Sequence, residues 1–336
     1  MAKAVAFSPK EWTVAVQGET TAGNDIHDGM FQLDVDSISM PSLNVTQVVD
    51  VRNSGTGRTF KSADFFQDNV MRVSEISLSG RFHNDSGANG GHHHLIRNIT
   101  DSTAVDSTLA TGYSPTALVY GTTSSTANHF KTFSLALIGP SASNAKHMLF
   151  EGCVVTNFAL SADAGTDGGA YKWSATIQSG RKPELANSEA LSSGTAYVNT
   201  NLLKLSNATA TKVANADVAL QSFTVTIDNP AVFSGVSTTG YQVVNRGAEC
   251  AVTLDCQVKY DANTDEFINL YDIQGTTPTI LGTDAFNIAY AGGGVDIDDA
   301  VWTNVGLSEG DIMMLDCSLK AVDDGSTALV TFDFSA

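Results

Sequence analysis

Basic side chains are scarce in this chain. Its 336 residues carry 18 Lys and Arg against 36 Asp and Glu, a formal net charge of −18. A protein that grips nucleic acid needs a basic surface that displaces phosphate counterions, so tight DNA or RNA binding is excluded. The deficit is uneven. Residues 1–182 hold 13 Lys and Arg against 16 Asp and Glu, a net of −3, while residues 183–336 hold 5 against 20, a net of −15. Charge of either sign is also sparse, at 16% of residues. With Ser, Thr, Ala, Gly, Asn and Asp abundant, that mixture favours strands and turns over surface helices.

Other absences narrow the class further. There are four cysteines, Cys153, Cys250, Cys256 and Cys317, and none forms a CxxC pair. Neither a disulfide framework nor a zinc ribbon fits that density and spacing. Cys250, Cys256 and Cys317 lie in apolar or alternating runs, where a reduced thiol acts as a small core residue. No apolar stretch approaches the ~20 residues of a membrane-spanning helix. Residues 1–12 lack a hydrophobic signal core, which points to synthesis in a reducing cytoplasm. No G-x-S-x-G nucleophile elbow occurs, and Gly55-Thr56-Gly57-Arg58 is a lone glycine turn without the lysine of a phosphate loop. With no convergent acid, base and nucleophile, the chain is not read as an enzyme, and no cofactor is assigned.

Three segments bear on metals. His92, His93 and His94 follow two glycines, but three consecutive imidazoles cannot aim at one centre, so a solvated loop or a helix start is the better reading. Asp261, Asn263 and Asp265 open like a calcium loop with Asp272 at its close. Glu266 stands where the sharp turn needs Gly, and the closing residue is Asp rather than Glu. This segment reads as the N-capped entrance of a helix, with Thr264 or Asp265 as the cap. The acidic Asp296, Asp298 and Asp299 read as a solvated turn. No residue is assigned to a metal site.

What is present is period-two alternation. It covers residues 12–16, 31–35, 73–82, 133–138, 171–177, 223–227, 252–260 and 329–334, each bounded by turn formers, and predicts half-buried antiparallel strands. Helical spacing is rare: residues 64–73, 94–99, 184–191 and 265–273. Short motifs recur in order. Ser114-Pro115-Thr116-Ala117-Leu118 returns as Thr277-Pro278-Thr279-Ile280-Leu281. Leu149-Phe150-Glu151-Gly152 returns as Leu307-Ser308-Glu309-Gly310. A period this long implies tandem domain duplication rather than a solenoid. The expected architecture is mainly β. A first module spans residues 1–182, a linker or inter-subunit loop spans 183–215, and a second module spans 216–336. Each module is a β-sandwich or partly closed barrel with one short α-helix.

The second module resembles the tail tube proteins of long-tailed bacteriophages, in their double-module form. The residues that carry this are Ser222-Phe223-Thr224-Val225-Thr226-Ile227-Asp228-Asn229-Pro230, then Asn245-Arg246-Gly247, then the long alternating run from Val252 to Tyr260 and Asp261, followed by a helix. The first module is similar over Phe150-Glu151-Gly152-Cys153-Val154-Val155 and onward through the strand at 171–177. The resemblance implies a virion protein, made in the host cytoplasm, whose homotrimeric rings enclose a β-barrel lumen and stack into a tube. That tube conducts DNA during ejection without binding it specifically. Implied partners are further copies of the chain and tape measure, tail terminator and baseplate proteins. On this reading a polar, acidic sheet face lines the bore. The alternative is another β-rich virion or surface protein, a decoration protein or an adhesin with two immunoglobulin-like domains.

Overall fold

The structure is a computed structural model that describes residues 9–24, 29–39, 46–49, 65–68, 73–83, 91–101, 107–109, 117–122, 131–139, 147–186, 202–247, 249–271, 275–290 and 293–334. In chain order the strands begin with β1 (Thr13–Gly18), β2 (Phe31–Gln32), β3 (Ser37–Ser39), β4 (Thr46–Val49), β5 (Phe65–Asp68) and β6 (Ser74–Arg81). Helix α1 (Gly91–Thr100) precedes β7 (Ser107–Leu109), β8 (Leu118–Val119), β9 (Phe133–Ile138), β10 (His147–Asp163), β11 (Lys172–Ser179) and β12 (Glu184–Ala186). Next come β13 (Ala210–Val213), β14 (Ala216–Asp217), β15 (Leu220–Asp228), β16 (Ala231–Ser234), β17 (Val243–Arg246) and β18 (Ala251–Lys259). Helix α2 (Glu266–Leu270) leads to β19 (Ile280–Leu281), β20 (Phe286–Tyr290), β21 (Gly293–Ile297), β22 (Ala300–Ser308), β23 (Met314–Ala321) and β24 (Val330–Asp333).

The chain is mainly β, and the strand pairs are antiparallel. The largest sheet runs β19-β22-β23-β18-β15-β10-β11-β6-β3. A six-stranded sheet, β14-β13-β20-β21-β24-β7, covers one of its faces. Aromatic contacts join the two layers: Phe223 to Phe286 at 5.5 Å, Tyr171 to Tyr290 at 5.5 Å and Phe158 to Phe332 at 6.3 Å. One buried cluster extends from Val14 to Phe334, so the core does not divide at the seam between the expected modules. The strand pairs β8·β17 and β24·β7 also join early to late chain segments.

Alternation explains the large sheet. In β18, Val252, Leu254, Cys256 and Val258 are buried while Asp255 and Lys259 are exposed, as a pleat with one dry and one wet face requires. The eight alternating stretches fall on β1, β2, β6, β9, β11, β15, β18 and β24. Helix α1 forms where the spacing places it, with Leu95, Ile96 and Ile99 buried. Its first residue is Gly91, where α1 passes β2 so closely that a Cβ would meet the Gln32 carbonyl oxygen at 2.7 Å. Helix α2 is shorter than its pattern, and Phe267 alone is buried, 5.4 Å from Trp302.

Two helix expectations fail over their described parts, while residues 64, 69–72 and 187–191 lie outside the described residues. Within residues 64–73, Phe65–Asp68 is β5 and pairs with β4, Val48 facing Phe66 and Val49 facing Phe65; a strand partner of like propensity overrides a weak helical spacing. Within residues 184–191, Glu184–Ala186 is β12 on the edge of β10. The segment 183–215 thus supplies β12, and it also supplies β13, which pairs with β20.

The matched motifs fall on unlike elements. Leu149, Phe150, Glu151 and Gly152 lie inside β10, whereas Leu307 and Ser308 end β22 and Glu309 and Gly310 lie in the following turn. Leu118 pairs through β8 with β17, while Ile280 and Leu281 pair with β22. Ser114, Pro115 and Thr116, like the glycine turn at 55–58, lie outside the described residues. Short motifs matched by composition follow turn chemistry, which can recur at different places in a β fold.

Candidate functional site

Three features of the large sheet stand out: its two end strands, its wet face and its central seam. From β3 to β10 the order is β3-β6-β11-β10; from β15 to β22 it is β15-β18-β23-β22. In both runs the chain passes through the strands in the same sequence: first, second, fourth, third. Both runs also hold their helix between second and fourth, α1 after β6 and α2 after β18. The runs meet at β10·β15, where Phe158 faces Ile227, Leu160 faces Val225 and Ala162 faces Phe223, all buried.

Toward the far ends of the two runs the same dry face is only partly covered among the described residues. On β22, Val305 pairs with Cys317 and Leu307 with Leu315. Cross-strand partners share a face, and Cys317 and Leu315 are buried, yet Leu307 is 53% exposed. Leu307 is therefore a core-side residue with no neighbouring strand beside it among the described residues, since β19 pairs with β22 only at Ala300 and Val301. On β3, Ile38 pairs with buried Leu78 and is itself only half-buried. Ile312 and Met313, beyond β22, are exposed too. A flat apolar edge of this kind templates further strand pairing.

The wet face is rich in hydroxyls: Ser77 and Ser79 on β6, Ser174 and Thr176 on β11, Thr224 and Thr226 on β15. Its charged residues are Glu75, Asp163, Asp228, Asp255 and Asp316 against Arg81, Lys172, Lys259 and Lys320. The expected acidic face is therefore nearly balanced among the described residues. The acid excess of the second half lies elsewhere, because alternation gave the wet positions mainly to Ser, Thr, Gln and Asn. Part of it gathers around β20 and β21.

There Lys212 meets Asp284 at 2.6 Å, and Asp284, Asp296 and Asp298 repel one another. Burial first, then Asp298, pushes the Asp296 carboxyl up to about 6. A raised carboxyl pKa means the folded state holds a proton that the unfolded state has lost between about pH 4 and pH 6. Its penalty is therefore full above that window and vanishes below it. Asp296→Asn keeps the oxygen that accepts from Asn287. It should stabilise the chain by about 1 kcal/mol at pH 8, a figure reduced for partial solvent exposure, and by nothing near pH 3.5. Urea unfolding at the two pH values checks this, and equal gains at both would rule the mechanism out.

The seam is held by Arg246 at the end of β17, which is 6% exposed. Its Nη1 donates to the Val155 carbonyl at 2.6 Å and the Asn229 carbonyl at 2.7 Å. Its Nη2 donates to the Asn98 carbonyl at 3.0 Å and to Asn98 Oδ1 at 3.2 Å. Asn229 Nδ2 donates to the Ile99 carbonyl at 3.0 Å, and Asn98 Nδ2 donates to the Lys131 carbonyl. Two residues singled out from the sequence, Asn229 and Arg246, thus hold the last carbonyls of α1, where a cation suits the helix dipole. A second knot bends β10 at Gly152, whose φ is +60°. Glu19 accepts there from Gly152 N, Ser134 Oγ, Thr132 Oγ1 and Gly23 N at 2.6–2.8 Å. The bend turns β10 from β9 and β12 toward β11 and β15.

The metal candidates do not converge. His92, His93 and His94 stand in α1, packed rather than solvated. His92 Nε2 lies 2.5 Å from the His83 carbonyl oxygen and its ring 4.4 Å from Phe82, while His94 stacks on Phe31 at 5.2 Å. Burial drives the pKa of both His92 and His94 down to about 4. Asp261 Oδ1 accepts from Asn263 N at 3.0 Å in an Asx turn, and the Asp261 carbonyl accepts from Asp265 N. Asp265 stands at the cap position of α2 without a side-chain bond to it, and Asp272 lies outside the described residues. Among the described residues no group of three or more His, Cys, Asp or Glu is placed to hold a metal ion, and the four thiols are free. Among the described residues no helix is long and apolar enough to cross a membrane. No protein-family model matches the chain, and no curated protein matches it.

Proposed function

We propose that this chain is a structural virion protein that assembles as stacked trimeric rings into the tail tube of a long-tailed phage, through which DNA leaves. The observation that carries the reading is the pair of four-stranded runs joined head to tail at β10·β15, with core-side Leu307 exposed on β22 beyond the short β19 pairing and core-side Ile38 half-buried on β3. If the runs are copies of one module, β22 of one chain is to β3 of the next what β10 is to β15 within the chain. A heterologous contact of that kind closes into a ring or runs on as a filament. Three chains carrying two runs each supply six. Edge closure removes the aggregation hazard.

The wet, hydroxyl-rich face then lines the bore. With its few charges nearly balanced, it offers phosphates no basic cluster to adhere to, which suits passage without specific binding. Tape measure, terminator and baseplate proteins are the partners such a tube needs. Negative-stain micrographs and native mass measurement of purified protein test the reading. Rings or tubes whose closed unit contains three chains are expected. Six chains per ring would overturn the two-module wall. A persistent monomer at high concentration would favour the decoration-protein or adhesin reading instead.

A further inference from the structure

A cleft of about 210 Å³ lies where the outer side of α1 meets the ends of β1 and β9, and it is lined by His94, Arg97, Lys131, Glu19 and Thr132 among others. His94 and Arg97 stand three residues apart, on one side of the helix. The Nε of Arg97 and the Nε2 of His94 are both shut off from solvent and find no hydrogen-bond partner among the described residues. Buried polar nitrogens are nearly always satisfied, so two in one cleft call for an occupant. Among the described residues no carboxylate forms an ion pair with Arg97 or Lys131. Asp101 interacts with the Lys131 charge, but it does so together with Arg246. The acid in the wall, Glu19, already accepts four hydrogen bonds from Gly23, Thr132, Ser134 and Gly152. The cleft is thus cationic and equipped with donors, two of them shut off from solvent.

We propose that this cleft binds a compact oxyanion, a phosphate or a carboxylate, through the Arg97 guanidinium, the Lys131 ammonium and the His94 Nε2–H. The chemistry fits each partner. A guanidinium presents fixed parallel donors to two oxygens, an ammonium adds a point charge, and a neutral imidazole donates one hydrogen bond. Burial, with Arg97 and His93 adding repulsion, holds His94 neutral, with its pKa near 4. An anion seated against it would favour its charged form and raise that value. The occupant can be a free oxyanion or an acidic side chain from another copy; both present the same oxygens. The inference stands whether or not the chain forms a tube.

The test uses unassembled protein and inorganic phosphate. Phosphate stabilises most proteins slightly by exclusion from their surface. The deciding quantity is therefore the difference in thermal midpoint shift between the unmodified chain and the variants Arg97→Leu and Lys131→Met, compared with chloride at equal ionic strength. Site binding stabilises by mass action. The unmodified chain should gain a phosphate-dependent shift that each variant lacks, with phosphate affinity about tenfold weaker in either one. In parallel, the His94 imidazole resonance should titrate at higher pH in phosphate. A second arm identifies the source. If phosphate also inhibits self-assembly, the oxyanion in the assembled state is a side-chain carboxylate; if assembly is indifferent, it is a free anion. Equal shifts in all three proteins, with a His94 titration that ignores phosphate, would mean that water alone satisfies the two nitrogens, and the site would fall.

Discussion

Leu307→Lys should abolish ring formation while leaving the folded monomer intact. Leu307 is on the dry face of β22, in register with buried Leu315, yet 53% exposed. In the monomer the substitution is a surface change and should cost within about 0.5 kcal/mol. In a β22·β3 contact between chains the same position is buried. Losing the leucine then forfeits about 2 kcal/mol of apolar burial. An ammonium in its place adds the cost of an unpaired buried charge, for about 4 kcal/mol in all, near a thousandfold in affinity per contact. Ile38, half-buried, is the core-side residue of β3, so Ile38→Glu combined with Leu307→Lys should restore part of the assembly through an ion pair. Thr224→Lys, on the wet face of β15 far from both edges, should leave ring formation unchanged. Sedimentation velocity and negative-stain imaging read all four proteins. Rings that persist with Leu307→Lys would remove β22 from the interface.

The β-rich class was legible because its signal is local. Alternation at 252–260 or 171–177 follows from one dry and one wet face of a pleated strand, and needs no knowledge of the partner. Helix α1 was legible for the same reason, through Leu95, Ile96 and Ile99. The errors fall where a non-local partner decides. Phe65 and Phe66 follow a weak helical spacing but pair with Val48 and Val49 in β4 and β5. The same holds for Glu184, which faces Leu149 across β12·β10. Charge placement was misjudged because the acid excess was counted along the chain, whereas alternation sorts Asp255 and Asp316 onto the wet face, while Asp284 precedes β20 and Asp296 lies on β21 of the second sheet. The matched motifs fall on unlike elements, while strand order, which no local window contains, presents two like runs. The oxyanion cleft was invisible for a related reason. His94 had drawn notice as a possible ligand, but its cleft partners, Lys131 and Glu19, are 37 and 75 residues away in sequence. Arg246 was noticed in Asn245-Arg246-Gly247, but not that it grips a helix more than a hundred residues earlier.

That grip yields the second large effect. Arg246→Met should destabilise the chain by about 4 kcal/mol, a large share of the ~5–15 kcal/mol that holds a domain folded. The guanidinium makes four contacts of 2.6–3.2 Å to the carbonyls of Val155, Asn229 and Asn98 and to Asn98 Oδ1. A hydrogen bond from a charged donor contributes about 1.5–3 kcal/mol, and methionine fills the volume while leaving those buried acceptors without this donor. Arg246→Lys should recover less than half of the loss. One ammonium on a flexible stem cannot reach both sides of the seam as the planar fork does. The effect should also be local before it is global. Amides at the end of α1 and across β8·β17 should exchange faster than those of β18 and β23, because these two strands are stitched to each other and do not depend on the seam. Urea unfolding gives the global cost, and hydrogen exchange its distribution. A loss below about 1 kcal/mol, or exchange that rises uniformly, would mean the two halves dock by apolar contact alone and that the arginine merely fills space between them.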